Sequence, residues 1–227
     1  MAKPIALSYS RLSTYEQCPL KFKSQYISKD YPDEGDNYFF KKGKRKHDQL
    51  DNYTKAQVNA TINTIQYDED VETCLPMIDT IISSYDIVAS ELQLAVDGSF
   101  SPCAWFGKKV MYRAIVDLEA SNDDEALVID WKTGKFREYD ESPTGQLHLT
   151  AAVEFARKEK VEKVTTAYVF IEHKQTIRRV FHREDYNSLV EPFLESWKQV
   201  NAEKDWKPKQ NKYCNYCLLG PKECPFK

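Results

Sequence analysis

Two aspartates and a lysine, Asp117, Asp130 and Lys132, carry the first chemical signal in this chain. Asp117 closes the apolar run AIVD, and Asp130 closes LVID thirteen positions later, so two adjacent antiparallel strands would bring both carboxylates to one end of a sheet. Lys132, two residues past Asp130, would point to the same face. Carboxylates that converge in a partly buried place repel, and the usual compensation is a divalent cation with oxygen ligands, Mg²⁺ or Mn²⁺. The Lys132 ammonium would then orient an attacking water or offset charge on a phosphate. Taken alone, Asp-x-Lys at a strand end is more often a surface salt bridge.

Those side chains need strands to hold them. ELQLAVD, KKVMYRAIVDLEA and ALVIDWK are short, β-prone and divided by Gly, Pro, Ser and Asn clusters, which predicts three consecutive strands in a meander over 91–97, 108–120 and 126–132. A helix follows over 144–158, then two strands, VTTAYVFIE and QTIRRVFH, and a closing helix over 184–204. Ahead of the meander, spaced apolar residues predict helices from about Lys41 to Ile62 and from about Val71 to Ser90, the second interrupted by Pro76. At the amino-terminal end, Ser13 with Glu16 three residues later is a helix-start signal, Pro19 predicts a break near Cys18, and residues 29–38 read as a loop.

With 227 residues and 41% hydrophobic content, the chain suits one domain with embellishments. Its 32 basic and 35 acidic residues leave a net charge of -3, which excludes a blanket attraction to polyanions. A nucleic-acid partner would be met by a local patch, and Lys41, Lys42, Lys44, Arg45 and Lys46 form one beside His47. Phe39 and Phe40, close by, could stack on bases, although core packing is the commoner use. No window approaches 18 apolar residues and MAKPIALSYSRL lacks a signal-peptide core, so the expectation is a cytoplasmic protein with no membrane contact. The cysteines then read as thiols or ligands. Cys214, Cys217 and Cys224 crowd the tail, with Cys18 near the other end, a spacing that suits zinc as readily as iron and sulfur; Cys74 and Cys103 read as small buried hydrophobes.

Asp117 with Asp130-x-Lys132 resembles the core of the PD-(D/E)XK nuclease superfamily. GKRKHDQLD, residues 43–51, is similar to the G-x-x-x-H-x-x-L-[ED] helix motif of RecB-type nucleases, and QLHLT is similar to their Q-x-x-x-Y motif, with Thr150 in place of the tyrosine. SYSRLSTYEQCPLKF together with CNYCLLGPKECPF resembles the split cysteine cluster of AddB and of CRISPR-associated RecB-like nucleases. The resemblance implies an α/β (α+β) fold with a central mixed sheet flanked by helices, in one nuclease domain over 1–227. Within it would lie an N-terminal helix at 8–27, a catalytic core at 41–182 and a cysteine-rich tail at 205–227. It further implies that His47, Asp117, Asp130 and the Trp131 carbonyl hold Mg²⁺ or Mn²⁺, with Lys132 and Gln146 completing the catalytic set. Cys18, Cys214, Cys217 and Cys224 would hold a [4Fe-4S] cluster that clamps the two termini. The imidazole favours Mn²⁺ at least as much as Mg²⁺. The implied activity is a DNA exonuclease acting on single strands or free ends in recombination, repair or replication, alone, as a homo-oligomer or within a larger recombination complex. Two other readings stand beside it: a non-catalytic module that binds DNA ends, and a zinc protein that mediates protein contacts.

Overall fold

A computed structural model describes residues 4–31, 38–62, 64–136 and 142–227. Its centre is a five-stranded sheet in the order β1 (Ile87–Asp97), β2 (Val110–Ser121), β3 (Glu125–Lys132), β4 (Lys163–Phe170), β5 (Gln175–His182). β1, β2 and β3 form the expected antiparallel meander. Helix α6 (Gln146–Arg157) then carries the chain to β4, which lies parallel to β3, and β5 returns antiparallel. The sheet is therefore mixed, with helices on both faces.

Along β3, Ala126 and Val128 pack into one core with α6 residues such as Leu149 and Phe155 and with Phe193 of α7 (Tyr186–Ala202). Ile129 and Trp131, on the opposite face, pack with Leu50 of α3 (Tyr38–Val58) and with Ile78 and Ile81 of α5 (Leu75–Ser84). The alternation along one strand thus feeds two cores.

Several boundaries differ from the sequence expectation. The first helix, α1 (Tyr9–Gln17), starts from Ser8, whose side chain accepts a hydrogen bond from the Arg11 amide, so Ser13 lies inside the helix rather than capping it. Cys18 breaks the helix as expected, and Pro19 opens the short α2 (Pro19–Phe22), where its missing N–H costs nothing. The helix expected over 71–90 is two, α4 (Glu69–Glu72) and α5, because Pro76 belongs to the first turn of a new helix. β1 begins at Ile87, inside the span expected to be helical. The loop expected at 29–38 lies mostly outside the described residues.

The two ends of the chain meet. Phe22 stacks on Trp206, with ring centroids 5.8 Å apart, and the Tyr15 hydroxyl donates to Glu203 at 3.1 Å. Lys209 Nζ donates to the Glu16 carbonyl at 2.8 Å, and Asn211 Nδ2 to the Gln17 carbonyl at 3.1 Å. No described helix is long and apolar enough to cross a membrane.

Candidate active site

Helix α3 delivers His47. Its approach to the sheet depends on Gly43: a Cβ there would stand 2.8 Å from Thr133 Oγ1, just past the end of β3. The helix can therefore lie closely over the Asp130–Thr133 stretch, and His47, one turn on, reaches Asp117 with Nδ1 3.4 Å from Oδ1.

Asp117 sits where the sheet changes. Val116 packs into the α6-side core and Leu118 into the α3-side core, although both are even-numbered residues of β2. On β1 the same switch falls between Val88 and Leu92. The residue between the registered pairs Ser90–Leu118 and Leu92–Val116 is Glu91, whose φ of 52° is left-handed. For a glutamate that conformation costs roughly 1–2 kcal/mol, a strain that clusters at functional positions. The outcome is a group the sequence reading missed: ligand atoms of His47, Glu91 and Asp117 all lie within 4.8 Å of one another. One ion with bonds of ~2.1 Å touches atoms up to ~4.2 Å apart, so these need close by only a fraction of an ångström. Glu91 read only as the first residue of the strand expected over 91–97, and nothing in its local sequence marks it.

The β2–β3 ladder ends at Leu118–Ile129. Beyond it Asp117 Oδ2 accepts the Trp131 amide at 2.7 Å, holding the strands together through a side chain. On the α6 side, Lys132 Nζ lies 2.7 Å from Asp130 Oδ1 and donates to Gln146 Oε1 at 2.9 Å. Gln146 Nε2 in turn donates to Asp130 Oδ2. The Lys132 ammonium also rests 4.4 Å from the centre of the Tyr168 ring. Thr150, at the position of the motif's tyrosine, turns its hydroxyl back to the carbonyls of Gln146 and Leu147. Asp130 therefore engages Lys132 and Gln146, outside the three-residue group around His47, and Trp131 contributes an amide donor to Asp117.

Burial is the largest influence on Asp130 and raises its carboxyl to about 6, with Asp117 adding repulsion while Lys132 and His47 oppose it. Burial alone would lower His47, yet the carboxylates of Asp117, Asp130 and Glu91 outweigh it and raise the imidazole. Glu91 is raised by burial and then by Asp117 and Asp51. The Asp117 charge thus raises both Asp130 and Glu91, which describes a site short of positive charge, and a divalent cation answers that.

The basic cluster is not one surface. Lys46 is 2% exposed and its ammonium is enclosed by Asp70 and Glu172, which corrects its expected place among DNA-gripping residues. Lys42 pairs with Glu172 at 2.7 Å, Arg45 with Asp68 at 2.6 Å and Lys44 with Asp48 at 2.9 Å. Lys41 is exposed. Helical spacing turns every third or fourth residue inward, and Lys46 falls on that face beside His47. Phe39 and Phe40 are exposed, contrary to the core use their type favours.

Cys18, Cys214, Cys217 and Cys224 all line one small cavity between the docked termini. The Lys209 amide donates to Cys18 Sγ at 3.4 Å and the Asn211 amide to Cys214 Sγ at 3.3 Å. No three of the thiols come within 4.8 Å of one another. Cys74 is buried and Cys103 half-buried, both away from this cavity.

The family model of the PD-(D/E)XK nuclease superfamily matches residues 6–221. Among solved structures, similarity is found to a protein from Eubacterium rectale provisionally described as an exonuclease, at 10% identity and a TM-score of 0.52, covering 93% of this chain and 86% of that one. The protein SSO0001 is similar at 13% identity and a TM-score of 0.42, covering 96% and 85%. None of the curated proteins matches.

Proposed function

The chain belongs to the PD-(D/E)XK nuclease superfamily, and from that premise we propose that it is a metal-dependent deoxyribonuclease, an exonuclease that hydrolyses phosphodiesters at DNA ends in recombination, repair or replication. The carrying observation is the meeting of His47, Glu91 and Asp117 on one side with Asp130, Lys132 and Gln146 on the other.

One nitrogen and carboxylate oxygens suit Mn²⁺ or Mg²⁺, and the fit is supported by the span of the His47, Glu91 and Asp117 atoms. Asp130 is the further ligand in this reading, once Lys132 and Gln146 yield one of its oxygens, and the Trp131 carbonyl is the last. When bound, the cation supplies the charge that activates water at neutral pH and offsets the phosphate. Lys132, held between Asp130, Gln146 and Tyr168, orients the attacking water and stabilises charge on the phosphoryl oxygens. Gln146 fixes the Lys132 ammonium. Lys42, Lys44 and Arg45 would contact the backbone by exchanging their acidic partners for phosphates, with Lys41 beside them at the exposed start of the same helix.

The four cysteines are proposed to hold a [4Fe-4S] cluster that locks the tail onto α1 and α2. Four cysteines lining one cavity supply the four thiolates such a cluster needs, and that convergence of Cys18 with the tail supports the reading. Amide donors at Cys18 and Cys214 are the contacts that stabilise ligating thiolates.

The test is digestion of end-labelled linear single strands, linear duplex and closed circles in Mn²⁺, Mg²⁺ or EDTA, using protein purified without oxygen. Loss of linear substrates alone, abolished by EDTA and by Lys132→Ala, is the expected result. A Lys132→Ala protein that cuts at the wild-type rate overturns the assignment, and a folded protein that binds DNA but cuts nothing is an end-binding module instead.

A further inference from the structure

A groove of ≈690 Å³ shares a wall with the proposed active site and has no role in the chemistry above. Ser8, Arg11, Trp105, Phe106, Arg113 and Gln146 line it. Its volume is in the range of sites for small ligands or single nucleotides, far below what a duplex would need. Gln146 ties one end of it to Asp130 and Lys132.

The groove exists because β3 pairs with β2 only over Leu118–Ser121. Further along β2 the vacated edge is met by the N-terminal segment. The Leu7 amide donates to the Met111 carbonyl and the Arg113 amide to the Leu7 carbonyl, both at 2.8 Å. This sets the start of α1 beside Arg113. Across the groove the turn Ala104–Gly107 is closed by the Gly107 amide donating to the Ala104 carbonyl at 2.7 Å, and a Cβ on Gly107 would stand 2.8 Å from that oxygen. The tight turn holds Phe106 out, 86% exposed. Trp105 is braced by Arg113, whose Nε donates to its carbonyl at 2.8 Å and whose guanidinium lies 5.5 Å from its ring centre. Arg11 is likewise fixed, over Tyr26 and to the Ala6 carbonyl at 2.9 Å. Among the described residues neither Arg11 nor Arg113 forms an ion pair, so two immobilised guanidinium charges face the groove uncompensated.

An occupant must therefore offer anions to two arginines and flat rings to Trp105 and Phe106, at a spot continuous with a phosphodiester-cleaving centre. We infer that the groove receives the unpaired strand next to the scissile phosphate, with Phe106 as a base-stacking platform, so that the substrate is single-stranded DNA or the frayed end of a duplex. Paired bases keep their faces inside the stack and reach Phe106 only after unpairing. The inference rests on the hydrolytic reading for its substrate, but its test does not need cleavage.

Binding of a fluorescein-labelled oligothymidylate and of a blunt duplex of equal length is followed by anisotropy in EDTA. The wild-type protein should bind the single strand more tightly. Phe106→Ala, at a side chain too exposed to support the fold, should weaken strand binding roughly tenfold or more while leaving duplex binding and the melting curve as they were. Phe106→Trp should restore the strand. Strand affinity unchanged by Phe106→Ala, strand and duplex weakened alike, or no DNA binding at all overturns the inference. Because EDTA prevents cleavage, strand binding in the groove is measured in the same way whether or not the protein hydrolyses DNA.

Discussion

The Asp117 carboxylate accepts the Trp131 amide at 2.7 Å, at the point where the ladder between their strands has ended. One oxygen thus serves the backbone and the other faces His47. The two duties separate by substitution. Asp117→Asn keeps an oxygen for the amide and loses the charge, so its melting temperature should stay near wild type while hydrolysis falls at least ~100-fold, the scale on which metal sites respond to their ligands and supports. Asp117→Ala also orphans a buried amide and should lose a further ~1–3 kcal/mol of stability. Wild-type hydrolysis by the asparagine variant would remove Asp117 from the metal site.

Gly43 and Thr133 predict a second separation. Glycine inside a helix normally costs ~1 kcal/mol relative to alanine, so Gly43→Ala should stabilise α3 unless the Thr133 contact decides the outcome. With a Cβ 2.8 Å from Thr133 Oγ1, either the threonine turns or the helix lifts, and His47 is carried away with it. Gly43→Ala alone should be less active and no more stable. In a Thr133→Ala background the same change should recover activity and gain stability, a coupling that a double-mutant cycle measures directly. Additive effects would show that the contact has no consequence.

Much of this arrangement was legible in the residues, for reasons specific to each. Asp130 and Lys132 end an apolar strand, and the two-residue period puts them together on any sheet. The three-strand meander followed from turn residues between β-prone runs. Glu91 was not legible. Its place depends on a change of alternation shared by β1 and β2 and on a left-handed backbone at a residue that rarely adopts one. Lys46 failed for the opposite reason, since a run of basic residues looks continuous in sequence but winds around a helix. The groove was equally hidden, because its two walls, residues 7–11 and 104–107, are far apart in the chain and meet only through the edge of β2 that β3 leaves open.

Lys46 yields a prediction about stability rather than binding. Its ammonium is enclosed by Asp70 and Glu172, and hydrogen bonds from Lys42 and Lys46 hold the Glu172 carboxyl down at about 2. Lys46→Ala leaves those acids without their buried partner and should cost ~3 kcal/mol, lowering the urea midpoint. The slope of DNA affinity against salt should not change, because Lys46 reaches no phosphate. Lys44→Ala, at an exposed pair, should do the reverse, with little change in the midpoint and a shallower slope.

For the cysteine cavity, protein purified without oxygen should be brown and carry iron and sulfide, and Cys18→Ala should lose both together with DNA binding and several degrees of melting temperature. Only that coupled loss fits a clamp between the termini, since Cys18 and the tail cysteines are held by a chain loop of nearly full length. Colourless protein containing zinc would replace the cluster. Loss of cutting with an unchanged melting curve would give the cysteines a chemical role in place of a structural one.

Away from the site, α6 and β2 enclose a second set of charges. Glu154 is fully buried beside Glu119, with Arg157 Nη1 2.7 Å from Glu154 and 3.6 Å from Glu119, and one Glu154 oxygen has no hydrogen-bond partner among the described residues. Burial, and then the charge of Glu119, raise its carboxyl from 4.5 to about 7, against the pull of Arg157 and Lys158. Below about pH 4.5 the group is protonated in both states and its contribution to stability is intact. Between there and about pH 7 the folded protein keeps a proton that the unfolded chain releases, so stability falls as pH rises, by up to a few kcal/mol, and levels off above. Glu154→Gln cannot lose that proton. Urea midpoints compared between about pH 5.5 and about pH 8 should therefore fall for the wild type and fall much less for the variant. Equal pH dependence in the two proteins would mean that Glu154 is already ionised in the fold and that Arg157 holds it as an ion pair.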